Sequence, residues 1–86
     1  MYQLIVKPKA EKKCQRFTQN DLEKVGKAFV ELAKNPYSEK LQIKKLFFTK
    51  GKFYRVRLGD LRMIYEIDDS AKKVLVHLVD FRGSVY

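Results

Sequence analysis

The sequence predicts an α+β domain, with two early helices packed on one face of an antiparallel-rich sheet of about four strands. Three observations carry this. Apolar residues recur at helical spacing only between residues 9 and 34, and strand-like runs fill most of the chain after residue 42. Helices clustered early and strands clustered late indicate α+β rather than alternating βαβ units. The third is the stretch from Phe53 to Asp68, where two alternating segments flank Gly59-Asp60, a Gly-first pair that closes a type II′ hairpin. That turn sets Leu58 against Leu61, Arg57 against Arg62, Val56 against Met63, Arg55 against Ile64 and Tyr54 against Tyr65. One face of the hairpin is then apolar (Tyr54, Val56, Leu58, Leu61, Met63, Tyr65), and the other carries Arg55, Arg57, Arg62 and Glu66.

Taken in order, residues 2–6 read as a short strand that enters the sheet beside the last one, because a lone strand cannot satisfy its backbone. Pro8 ends it and suits a helical first turn, where a missing N–H costs nothing. Residues 9–16 form a short helix with Ala10, Cys14 and Phe17 on one side. A second helix runs from Asp21 to Lys34, with Asn20 as its N-cap and Glu23 three residues on. Its apolar stripe is Leu22, Val25, Phe29, Leu32 and Ala33, and Gly26 offers a close approach to another element. Asn35-Pro36 ends it, residues 37–42 are expected to be a mobile loop, and residues 43–49 an extended run at a sheet edge. Lys50-Gly51-Lys52 is a turn, residues 68–73 a polar loop, and Val74 to Val79 a nearly continuous apolar strand. Residues 80–86 are a short tail.

Eighty-six residues make one domain, spanning 1–86, with a thin core. Lysine and arginine total 19 against 10 acidic residues, a formal net charge of +9. So strong a positive balance points to an anionic partner. No apolar run approaches the ~20 residues that span a bilayer, so no membrane partner is expected. No signal peptide precedes the first strand, and the lone Cys14 cannot form an internal disulfide, so a reducing cytoplasm is the expected compartment. No Cys/His cluster has metal-ligand spacing and one histidine is too few for a conventional zinc site, so no metal or cofactor is expected.

The arginines are the feature that needs explaining. Arg57 and Arg62 directly across a ladder repel each other, and a broken local rule points to a functional site. Arg55, Arg57 and Arg62 converge on one face, where guanidinium forks would hold phosphate, although a solvated strand face gives the same pattern. Arg82 reaches the same region, and Tyr86 adds a ring suited to stacking on an unpaired base. Lys50 and Lys52 are either further phosphate contacts or solvated tips. His77 is read as structural more readily than catalytic, Cys14 as a buried apolar residue, and Glu66 as a salt-bridge partner with a general base as the alternative.

The run from Phe53 to Ile67, the ending Phe81-Arg82-Gly83-Ser84-Val85-Tyr86 and the junction Val6-Lys7-Pro8-Lys9-Ala10-Glu11-Lys12 together resemble the RelE/ParE superfamily of bacterial and archaeal toxins. In the RelE branch the resemblance implies a toxin of a type II toxin-antitoxin system that cuts messenger RNA on the ribosome and is restrained by a cognate antitoxin. It implies catalytic roles for Arg62, Arg82 and Tyr86, with Arg55 and Arg57 binding substrate. Family members often carry lysine where this chain has Arg55 and Arg57, and arginine does not readily give up a proton near neutral pH. No C-terminal helix follows Tyr86, an element some relatives possess. Two other readings stay open: a ParE-like inhibitor of DNA gyrase without catalysis, and a nucleic-acid-binding module that leaves its ligand intact.

Overall fold

A computed structural model describes residues 1–47 and 50–81. The chain runs β1 (Gln3–Val6), α1 (Pro8–Cys14), α2 (Gln19–Lys34), β2 (Gln42–Lys45), β3 (Phe53–Leu58), β4 (Leu61–Asp68) and β5 (Lys73–Phe81). The strands form one sheet in the order β1-β5-β4-β3-β2. β1 lies parallel to β5 and every other neighbour is antiparallel. The class is the one expected, with five strands rather than about four. The extended edge run expected over residues 43–49 is β2, which begins at Gln42, ends at Lys45 and makes a four-residue ladder along β3.

The β3–β4 hairpin has the register that its turn dictates, from Leu58↔Leu61 through Arg57↔Arg62 to Tyr54↔Tyr65. Gly59 adopts φ 63 while Asp60 is not left-handed, as a Gly-first II′ turn requires. Val56, Leu61, Met63 and Tyr65 are buried against the helices, together with Val74, Val76 and Val79 of β5. The β4–β5 ladder slips by one residue between Ile64 and Tyr65, which leaves His77 as the extra residue of a bulge.

Four local expectations are corrected. The N-cap of α2 is Thr18, whose Oγ1 accepts from the Asp21 N–H at 3.2 Å, so Asn20 lies inside the first turn. Leu22 is 40% exposed, and the buried stripe is Val25, Ala28 and Leu32. A Cβ added to Gly26 would meet nothing within 4 Å, so this glycine brings no element close. The loop after α2 is tied down rather than mobile. Ser38 donates to Glu31 at 2.6 Å, the Tyr37 N–H to Asn35 Oδ1 at 3.0 Å, and Tyr65 Oη donates to the Pro36 carbonyl at 2.8 Å. Short polar side chains beside Pro36 give its backbone partners that a ladder would otherwise supply.

Candidate nucleic-acid interface

With the helices on one face of the sheet, the register assigns the residues of the other. One rung crosses four strands as Gln42, Arg57, Arg62 and Asp80. The next holds Lys44, Arg55, Ile64 and Leu78. Beyond it lie Phe53 and Glu66, with the Leu46 N–H donating to the Phe53 carbonyl at 2.9 Å. The face is therefore cationic at the β2–β3 edge and apolar or acidic toward β5.

The expected arginine cluster divides by depth. Arg57 is exposed and Arg55 half-buried. Arg62 is only 4% exposed, with Nε and Nη1 closed to solvent. The anticipated Arg57–Arg62 opposition exists, but Asp80 stands across from Arg62 on the other side and is itself buried. Asp80 Oδ2 also lies 3.4 Å from Lys13 Nζ. A carboxylate beside the arginine offsets the like-charge cost within the rung.

The two loop lysines differ. Lys50 is exposed. Lys52 is half-exposed and its ammonium bonds the Asp69 carboxylate and reaches Tyr37 Oη at 3.4 Å. Tyr2 and Tyr37 donate to the same carboxylate at 2.6 and 2.7 Å. The bond from Lys52 and those from the tyrosines hold the Asp69 carboxyl well below the usual carboxylate range, and the carboxylate in turn raises Lys52.

His77 Nε2 lies 2.9 Å from Glu66 Oε1, and its ring packs 5.3 Å from that of Phe53. The hydrogen-bonding partner of Glu66 is thus a histidine. Cys14 packs half-buried against the core, and burial pushes its thiol up. Arg82 and Tyr86 lie outside the described residues, as do Phe48 and Thr49.

Sequence reasoning missed Lys40 and Lys44. Lys40, Gln42, Arg57 and Asp60 line a concavity of about 560 Å³ at the turn end of the sheet. Lys44, Lys45, Phe47 and Arg55 line a second one of about 480 Å³ further along the same edge. For Lys44 the signal was the polar-apolar-polar run Gln42-Ile43-Lys44, which becomes informative only once β2 is registered against β3. Among the described residues no group of three or more His, Cys, Asp or Glu could hold a metal ion, and no helix is long and apolar enough to cross a membrane.

Comparison with known proteins fits this geometry. The family described as "ParE toxin of type II toxin-antitoxin system, parDE" matches residues 4–82. The chain is similar to the archaeal RelE in its complex with RelB from Pyrococcus horikoshii, with 26% identity, a TM-score of 0.84 and 98% of each chain covered. It is similar to a chain of the RelBE2 toxin-antitoxin complex of Mycobacterium tuberculosis, with 26% identity and a TM-score of 0.79 over 94% of this chain and 98% of that one. A metal-bound toxin from Helicobacter pylori shares the fold at 20% identity, with a TM-score of 0.82 and 100% of both chains covered. No curated protein sequence matches.

Proposed function

The chain belongs to the ParE toxin family of type II toxin-antitoxin systems, within the RelE/ParE superfamily, and from that premise we propose that it cuts messenger RNA on the ribosome. The observation that carries the reading is the sheet face on which Arg57 and Arg55 occupy successive rungs beside Gln42 and Lys44. Guanidinium groups two residues apart on a strand lie about 6.8 Å apart along it, so they can hold successive phosphates of an extended strand.

In the proposed reaction the ribose 2′-oxygen attacks the adjacent phosphorus in line. The P–O5′ bond breaks, leaving a 2′,3′-cyclic phosphate and a 5′-hydroxyl. The 2′-hydroxyl loses one proton and the departing O5′ gains one. Arg55 and Arg57 supply charge and position, since neither can act as a base at neutral pH. Arg62, buried beside Arg57 in the same rung, positions it. Arg82 and Tyr86 complete the clamp, the arginine on phosphate and the tyrosine stacking or exchanging a proton. Without a general base of its own at the arginine rungs, the protein relies on the ribosome to orient its substrate.

The partner follows from charge and from relatives crystallised with RelB antitoxins. A cognate antitoxin would cover the basic edge with an acidic, amphipathic segment. Primer extension on translated messages tests the activity. Ribosome-bound message is cut, and naked RNA is cut poorly. Equal rates on the two substrates would sink the mechanism.

The ParE match keeps a second reading in play, a non-enzymatic inhibitor of DNA gyrase. Growth arrest that survives Arg82→Ala and Tyr86→Phe together, with messages left whole, would favour it.

A further inference from the structure

We propose that the edge of the sheet at the end of β2 holds an unpaired RNA base on Phe47, with Lys44, Lys45 and Arg55 taking the phosphates on either side. The inference rests on the RNA-directed reading and adds to it the path of the strand away from the cleavage rung.

Phe47 is 82% exposed. Charged residues on an edge strand have an ordinary explanation, since they discourage edge-to-edge pairing. That explanation covers Lys44 and Lys45 but not a bare phenyl ring at the strand's end, which makes the edge more adhesive. Lys45 Nζ stands 5.7 Å from the ring centroid, so a cation already accompanies the ring. The ring closes a concavity of about 480 Å³ with Lys44, Lys45, Leu46 and Arg55. Among the described residues no carboxylate lines it.

Lys44 and Arg55 face each other across the β2–β3 ladder. The Arg57 rung lies two residues along the same strand. A strand of RNA crossing from Arg57 past Arg55 therefore brings its next bases to Phe47. Stacking on a phenyl ring does not depend on base identity, so the site would grip RNA without choosing sequence.

The chain contains no tryptophan, so Phe47→Trp introduces a single indole at the site. Titration of that variant with unstructured oligo-uridine and oligo-adenosine should quench its fluorescence. Phe47→Ala should weaken binding of the same oligonucleotides about 5- to 150-fold. It should leave the slope of log affinity against log salt unchanged, because it removes no charge. The double variant Lys44→Ala, Lys45→Ala should instead flatten that slope by about 1.4.

An unquenched indole at saturating RNA, or wild-type affinity in Phe47→Ala, overturns the proposal. Equal quenching by a poly-glutamate peptide also overturns it and makes the patch a protein-docking surface. Ribosome-dependent cleavage is scored in parallel. Quenching with uncut messages defeats the nuclease reading and leaves the base site standing. Messages cut equally by wild type and Phe47→Ala, with no quenching, do the reverse.

Discussion

Arg57 and Arg62 face each other in one rung, yet only Arg57 meets solvent. The difference assigns them different work. Arg57→Ala removes a charge from the surface and should change unfolding free energy by no more than about 0.5 kcal/mol. It should still slow message cleavage on the ribosome. Arg62→Ala leaves Asp80, which is buried and opposite Arg62 in the β4–β5 register, beside a void. That should cost about 1–3 kcal/mol in urea unfolding, since a buried carboxylate loses a neighbouring cation. If Arg62→Ala unfolds like wild type while cleavage fails, Arg62 acts directly on phosphate and the division by depth is mistaken.

At the scale of elements, the hairpin was fully legible because a two-residue Gly-first turn admits one register. Gly59→Ala tests the same logic. Its φ of 63 is left-handed, and the added methyl would also lie 3.5 Å from Lys24 Nζ. The variant should lose about 1–2 kcal/mol of stability, read by thermal unfolding. The loop after α2 was not legible, because its order comes from distant partners. Tyr65 lies 29 residues from the Pro36 carbonyl that it satisfies. Tyr65→Phe keeps the packing and strands that carbonyl, at about 1–3 kcal/mol. The candidate site was half legible for a related reason. The arginines lie inside the readable hairpin, whereas Lys40, Lys44 and Phe47 join them only through the pairing of β2, a short strand at the end of an irregular loop. Periodicity reports which face a residue takes, not which strand it will meet.

For the whole molecule, the end of the sheet opposite the Gly59-Asp60 turn is closed by Asp69. It gathers Tyr2 from the start of the chain, Tyr37 from the loop after α2, and Lys52 from the approach to β3. A chain with a net charge of +9 repels itself when compact, so a carboxylate that joins three segments should matter to its pH response. The folded carboxyl titrates below its ordinary 3.8, held there by Lys52 and the two tyrosines. Its contribution to stability is therefore present above that ordinary value and is lost as pH falls through the folded one. The alkaline side has the opposite sign. Tyr2 is pushed from 10.0 up to about 12, first by its bond to Asp69, so its contribution is complete below 10.0 and lost as pH rises toward about 12. Wild type should therefore melt above Asp69→Asn at pH 7, and the gap should close in strong acid. It should melt above Tyr2→Phe at neutral pH, and that gap should close only in strong alkali. Melting curves across pH decide the matter: a gap that stays constant into strong acid would mean that Asp69 serves by shape rather than by charge.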